Sequence, residues 1–272
     1  MIKLLTEYAQ FVRNQIASRL PGSTRHPVTF KRQEDIYIIS IQGKKVMAPG
    51  CRRWRTYRQG FKERQEEVAV RYGLDQVEPE SEDDWVVDIG GYMGEWSLYM
   101  LNKGFNVLAI EPDPLAAKCL KHNLESHGRK DRKWLHDPRV TLNESKEVTF
   151  FSEPVNADGS VFPSGTGNAK EISVQAECLD RIISERIGDR IIRAIKMDAE
   201  GAEPEVLAGA AHTLEHCQRI GIDAGDERMG ECTNEECAEI LKGCGFRIIT
   251  GEKPFEIMVL AEPGATHPLS RN

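Results

Sequence analysis

The sequence predicts an α/β fold in which a mostly parallel sheet is covered by helices on both faces. Three observations carry that reading. From residue 85 onward, short and mainly apolar segments such as "WVVDIG" and "IIRAIKMD" alternate with helical patterns, as strands buried on both faces do. A glycine-rich turn, "DIGGYMG" (88–94), joins the first of these strands to the first helix. A chain of 272 residues that is 40% hydrophobic can also bury one large core.

The N-terminal elements come first. Leu4, Leu5, Tyr8, Phe11, Val12 and Ile16 fall at helical spacing, and Pro21-Gly22 ends that helix. "IYIISI" (36–41) and "KKVM" (44–47) form a hairpin across Gln42-Gly43. "GFKERQEEVAVRYG" (60–73) reads as a helix with Phe61, Val68 and Tyr72 inward. The acidic stretch "EPESEDD" (78–84) is the expected boundary between an N-terminal addition, 1–78, and a main domain, 79–272.

In the main domain the strands are "WVVDIG" (85–90), "NVLAIE" (106–111), "IIRAIKMD" (191–198) and "RIGID" (219–223). The intervening helices are "EWSLYMLNK" (95–103), "PLAAKCLKHNLES" (114–126), "EPEVLAGAAHTLEH" (203–216) and "NEECAEILKGC" (234–244). "EVTFF" (147–151) and "ISVQAE" (172–177) should pair antiparallel around a long loop, 152–170. The chain closes with "FRIIT" and "FEIMVLA", separated by a turn holding Gly251 and Pro254, which adds an antiparallel strand.

Charge and composition narrow the function. A formal net charge of −7 disfavours a nucleic-acid partner. The N-terminus has no apolar signal region, and no apolar run approaches the roughly 20 residues of a membrane span. Seven cysteines without a C-x-x-C pair read as reduced thiols, so the expected location is cytoplasmic.

The glycine turn identifies a ligand class. Dinucleotide turns read G-x-G-x-x-G, whereas this one has Gly90, Gly91 and Gly94 preceded by Asp88. A pyrophosphate favours bare amides at a helix N-terminus and is repelled by an acid, whereas a sulfonium or ammonium welcomes one. The turn therefore points to S-adenosylmethionine (SAM), with S-adenosylhomocysteine as the spent form. Glu111, at the tip of the next strand, is placed to accept both ribose hydroxyls.

With these residues the chain resembles FkbM-type SAM-dependent methyltransferases. The resemblance rests on "VVDIGGYMGEWSLYM", "VLAIEPDPLAAKCLKHNL" and "CLDRIISERIGDRIIRAIKMDAEGAEPEVLAGA", and is most specific at "KMDAEGAE" (196–203). It implies the Rossmann-like class I methyltransferase fold, with a seven-stranded sheet of order 3-2-1-4-5-7-6, and O-methylation. The family's Ala-Asn after the first glycine is Gly91-Tyr92 here, which puts Tyr92 on the methionine side. The expected cofactor contacts are thus Asp88, Gly90, Gly91, Tyr92, Gly94, Glu111, Pro112 and Asp198.

The chemistry should sit at "IKMDAEGAE". Asp198 is the first candidate for a general base or substrate-orienting group and Glu200 the second, with Lys196 on the same strand face as Asp198. Glu203 reads equally as an acid at a helix start, and that is the lesser reading for Glu200. Asp198, Asp223 and Asp226 could alternatively converge on Mg2+, although the reading adopted has no metal. His212 and His216, spaced i, i+4, are metal-compatible but are read as a surface face, and His136 is a minor candidate near the third strand.

Two segments should meet the acceptor. The loop 152–170 is expected to overhang the site with Ser160 and Phe162 nearest. Residues 44–64 hold eight Lys or Arg and one acid, and Arg52, Arg53, Trp54 and Arg55 suit an anionic small molecule or glycan, or else form a solvated face. The expected function is SAM-dependent methylation of a hydroxyl. The alternatives are an RNA-modifying methyltransferase and a non-catalytic SAM-binding module.

Overall fold

In the computed structural model the described residues are 2–155, 157–163, 169–188, 190–249 and 258–270. The central feature is a seven-stranded sheet built from β4 (Trp85–Ile89), β5 (Asn106–Ile110), β6 (Trp134–Asp137), β10 (Ile192–Met197), β11 (Ile220–Asp223), β12 (Phe246–Ile249) and β13 (Met258–Pro263). Its spatial order is β12-β13-β11-β10-β4-β5-β6. Numbered within the sheet and read from the other edge, that is 3-2-1-4-5-7-6, the order expected. β13 runs antiparallel to β11 and β12, while β11, β10, β4, β5 and β6 pair in parallel. The expected closing turn with Gly251 and Pro254, and the start of "FEIMVLA", lie outside the described residues.

Period-two alternation assigns the strand residues to two cores. Trp85, Val87 and Ile89 of β4 pack with Ile195 and Met197 of β10 and with α5 (Leu179–Arg186) and α8 (Asn234–Gly243). Val86 and Ala194 face the opposite side with α3 (Glu95–Lys103) and α4 (Pro114–His127). Asp88 and Lys196 are two residues on, so they share that second face. Among the described residues no helix is long and apolar enough to cross a membrane.

The N-terminal segment adds α1 (Ile2–Ala17), an antiparallel sheet of β1 (Val28–Gln33), β2 (Ile36–Ile41) and β3 (Lys44–Ala48), and α2 (Phe61–Arg71). Its core is continuous with that of α3 and α4 across the expected 78/79 boundary: Trp54, Phe61 and Leu74 belong to the same cluster as Met93, Trp96 and Leu124. β1 has no alternating pattern because only Val28 of its six residues is buried, so sequence periodicity could not reveal it. In α1 the side chains of Leu4, Leu5 and Tyr8 lie outside the described ones. Ile16, expected inward, is 59% exposed. Asn14 takes the inward place instead and donates to the His26 carbonyl at 3.1 Å.

"EPEVLAGAAHTLEH" is two helices, α6 (Glu203–Ala208) and α7 (Ala211–Glu215), not one. The break falls at Gly209, where an added Cβ would lie 2.3 Å from the Leu142 carbonyl oxygen. Leu142 belongs to β7 (Val140–Leu142), which with β8 (Lys146–Ser152) and β9 (Lys170–Cys178) makes a third, three-stranded sheet. β8 and β9 pair antiparallel, as the sequence suggested.

At the tip of β6 the fully buried Asp137 carboxylate accepts from Arg139 at 2.8 and 2.9 Å and from Arg186 of α5 at 2.7 Å. Burial pushes this carboxyl up, but the guanidinium bonds outweigh it and hold it down at about 2. The folded-state value is depressed, so the stabilisation is complete above the ordinary Asp value near 4 and vanishes as pH falls through about 2. Asp137→Asn should therefore lower stability by about 2 kcal/mol at pH 7. Urea midpoints at pH 7 and at low pH check this, because the difference from wild type should shrink in acid.

Candidate active site

Beyond the C-terminal tips of β4, β5 and β10 lies a cavity of about 550 Å³. That volume falls in the range of small-molecule sites, and the cavity occupies the usual ligand position of an open α/β sheet. Four parts of the chain wall it: the glycine turn, the β5 tip, the β10 tip, and the loop after β8 together with residues of the N-terminal segment.

The glycine turn is shaped by contact. Gly90 has φ +70°, and a Cβ there would meet the Asp198 carbonyl oxygen at 2.0 Å. No other residue lets the β4 and β10 tips approach so closely. Gly94 caps α3 at φ +83°. Tyr92 is left-handed at φ +48° without being glycine, a conformation that costs energy and here turns its N–H onto Glu111 Oε2 at 2.7 Å.

Glu111, 6% exposed, also accepts the Asp113 N–H on Oε1 at 2.8 Å. Its carboxyl is pushed up to about 7 by burial, against the lowering effect of those two donors. Glu111 and Pro112 both line the cavity, with Asp88, Gly90, Gly91 and Tyr92, whereas Gly94 sits behind them at the helix cap. Asp113 caps α4 by accepting from Leu115 and Ala116.

Asp88 does not present an unbalanced charge. It is 1% exposed, accepts from Ser97 Oγ at 2.5 Å, and pairs with Lys196 Nζ at 3.3 Å. Lys196 also donates to the Gly90 carbonyl at 2.6 Å and lies 3.9 Å from Asp198. Burial lowers the Lys196 ammonium, but Asp88 and Asp198 outweigh this and hold it above the usual lysine value. The negative charge set aside in the sequence for a cationic ligand is thus already matched by a lysine of the neighbouring strand.

At the β10 tip Asp198 Oδ2 accepts from the Tyr72 hydroxyl at 2.7 Å. Tyr72 follows α2, so the N-terminal segment supplies a wall of the cavity. Burial and the Asp198 charge hold its phenol well above the usual range, which keeps it a donor. Glu200 has φ +50°. Burial, then the charges of Asp198, Glu227 and Asp158, raise its carboxyl to about 9.

Ser160 and Phe162 both line the cavity. Ser160 is tied to Phe151 by a backbone bridge and donates Oγ to the Glu200 carbonyl at 2.7 Å. Phe162 lies beneath the Arg228 guanidinium at 5.0 Å. The basic segment divides. Arg53 lines the cavity, donating to Tyr92 Oη at 2.9 Å and sitting over that ring at 4.6 Å. Arg52 and Arg55 do not line it. Trp54 is 3% exposed and meets Phe11 edge-on at 5.4 Å, so it fills the core instead of meeting an acceptor.

Residues overlooked in the sequence include Tyr72 in that role, Arg64 and Arg71. Arg64 holds Glu95 through two 2.9 Å bonds, and Arg71 pairs with Asp223. Of the three carboxylates considered for magnesium, Asp198 and Asp223 line the cavity. Asp226 is exposed and away from the cavity lining. Among the described residues, the one group of three potential ligands within 4.8 Å of one another is His212, Glu215 and His216, elsewhere. His136 bonds the Glu111 carbonyl at 2.9 Å and is not part of the lining.

A sheet of this order with a glycine turn and an acidic second-strand tip is the class I methyltransferase fold, a SAM-binding fold. The methyltransferase FkbM domain profile matches residues 88–248, and the chain belongs to that family. "Methyltransferase 1" of Beauveria bassiana is 25% identical over 151 residues, which are 49% of this chain and 61% of that protein. The crystal structure of methyltransferase FkbM from Methylobacillus flagellatus is similar at TM-score 0.50 and 19% identity, covering 74% of this chain and 50% of that one. The chain thus spans only about half to three fifths of these relatives' lengths.

Proposed function

We propose that the protein transfers the methyl group of SAM to a hydroxyl of a small molecule or glycan. The observation that carries this is co-location: the glycine turn, Glu111 and Asp198 line one cavity of about 550 Å³. The adenosine half of SAM would lie along Glu111 and Pro112, and its methionine half near Gly90 and Tyr92. The sulfonium methyl would then face Asp198. An acceptor hydroxyl attacking in line forms the O–CH3 bond as the S–CH3 bond breaks, and its proton passes to the Asp198 carboxylate.

The acceptor end is acidic. Arg64 is matched by Glu95 and Arg71 by Asp223, while Asp158 and Glu227 add carboxyls to the lining. Such a surface disfavours a phosphate at the reacting position, so the acceptor proposed is an uncharged hydroxyl, not the anion suggested by residues 44–64. The decisive experiment is labelled-methyl transfer from SAM into fractionated extract, with mass analysis of the labelled product. Label in a neutral hydroxyl compound supports the reading, whereas label confined to RNA or to no fraction contradicts it.

Arg53 should act on the acceptor chiefly through the loop wall. It braces Tyr92, whose hydroxyl donates to the Pro154 carbonyl at 2.7 Å and so closes the loop wall. Arg53→Ala is expected to raise acceptor KM several-fold, with any loss of SAM affinity smaller because it is the Tyr92 side chain that loses its brace. Arg52→Ala and Arg55→Ala should leave both unchanged. Steady-state kinetics on the purified acceptor separates these outcomes.

A further inference from the structure

We propose that His212, Glu215 and His216 form a surface site for a divalent transition-metal ion of the zinc type, remote from the cavity. The three potential ligand atoms already lie within 4.8 Å of one another. The two imidazoles lie one helical turn apart, tilted at 57° with ring centroids 4.6 Å apart, and the Glu215 carboxylate is 3.9 Å from His212 Nδ1. A tetrahedral ion with bonds of about 2.0–2.1 Å needs its ligand atoms about 3.4 Å apart. The His212 and Glu215 side chains are 55% and 59% exposed, so they can close the remaining distance without disturbing the core.

The tautomer of His216 is set by its neighbour. Its Nδ1 lies 3.0 Å from the His212 carbonyl oxygen, which can only accept. Nδ1 therefore carries the proton and Nε2 keeps the lone pair, the state a metal requires. Metal-binding histidines are typically held in this way, with the second nitrogen donating to a carbonyl or carboxylate.

The backbone that presents these groups is anchored at both ends of α7. Asp180 accepts from His212 N at 3.0 Å and Thr213 N at 2.7 Å. Leu214 is 1% exposed, and the His216 carbonyl accepts from Ile192 N at 2.8 Å. Residues 211–218 contain no lysine or arginine to repel a cation. Two imidazoles and one carboxylate suit Zn2+, Ni2+ or Cu2+ better than Mg2+ or Ca2+. Water would complete the coordination. The unfolded chain lacks this arrangement, so binding stabilises the folded state.

The test is titration of tag-free protein with Zn2+, read by calorimetry and by thermal unfolding. The expected result is one saturable Zn2+ per chain, with a Tm that rises with Zn2+ and is indifferent to Mg2+. His212→Ala and His216→Ala should each weaken binding at least about tenfold and remove the Tm response. Circular dichroism verifies that both variants are folded. Cys232→Ser, which removes the exposed thiol, should keep both responses. No saturable binding in the wild type, or binding that survives the histidine variants and fails in Cys232→Ser, overturns the proposal.

Discussion

Asp198→Asn should keep the fold and most of the SAM affinity while lowering kcat by about 10²–10⁴-fold, the usual worth of general-base help. The carboxylate stands at the tip of the strand beside the glycine turn, with its N–H bonded to the Ile89 carbonyl at 3.1 Å. Tyr72 donates to it and Lys196 lies 3.9 Å away, so both neighbours complement negative charge. An amide in its place keeps the reach but cannot take a proton. The structure also orders the two sequence candidates. Burial and the charges of Asp198, Glu227 and Asp158 raise the Glu200 carboxyl, so its carboxylate form is the less available of the two near neutral pH. Glu200→Gln should accordingly change the rate little at pH 7. Single-turnover transfer of labelled methyl measures both variants. A loss within about threefold for Asp198→Asn would show that positioning alone drives the reaction.

Glu111→Gln should weaken SAM binding by about 10–100-fold, or roughly 1–3 kcal/mol. The carboxylate already receives two backbone N–H groups, and its remaining lone pairs border the cavity, where ribose hydroxyls would donate. An amide presents one acceptor oxygen and sets N–H against N–H on its other side. The same loss should appear for S-adenosylhomocysteine, since the ribose is common to both. A pH signature accompanies it. With the carboxyl at about 7, the acceptor form is scarce at pH 6 and dominant at pH 8. Wild-type affinity should climb through that window, and the Gln variant should be flat across it. Calorimetric Kd values that are equal in the two proteins, or a wild-type affinity independent of pH, would remove Glu111 from the ribose site.

Much of the site was legible because its signals are local. The glycine turn, the acid at the second strand tip and the "KMDAEGAE" segment are short patterns whose geometry follows from strand ends and helix starts. Ser160 and Phe162 were singled out from loop length and composition, and both line the cavity. Trp54 was misplaced because aromatic residues among arginines look alike whether the ring is buried or displayed. The break at Gly209 was missed because helical periodicity runs straight through it, and only the approach of β7 forbids continuation.

By itself, the sequence determined the alternation of strands and helices, the glycine turn after the first strand of the main sheet, and which strand tips carry acids. These depend on residue type and spacing over a few positions. Tertiary structure alone decided the partners. Tyr72 meets Asp198 across 126 positions, Arg71 meets Asp223 across 152, and Lys196 balances Asp88 from the adjacent strand. The raised carboxyl of Glu200 is likewise tertiary, because it follows from burial and from carboxylates gathered out of separate loops. Coulomb energy and desolvation depend on distance and enclosure in space, and residue spacing along the chain encodes neither.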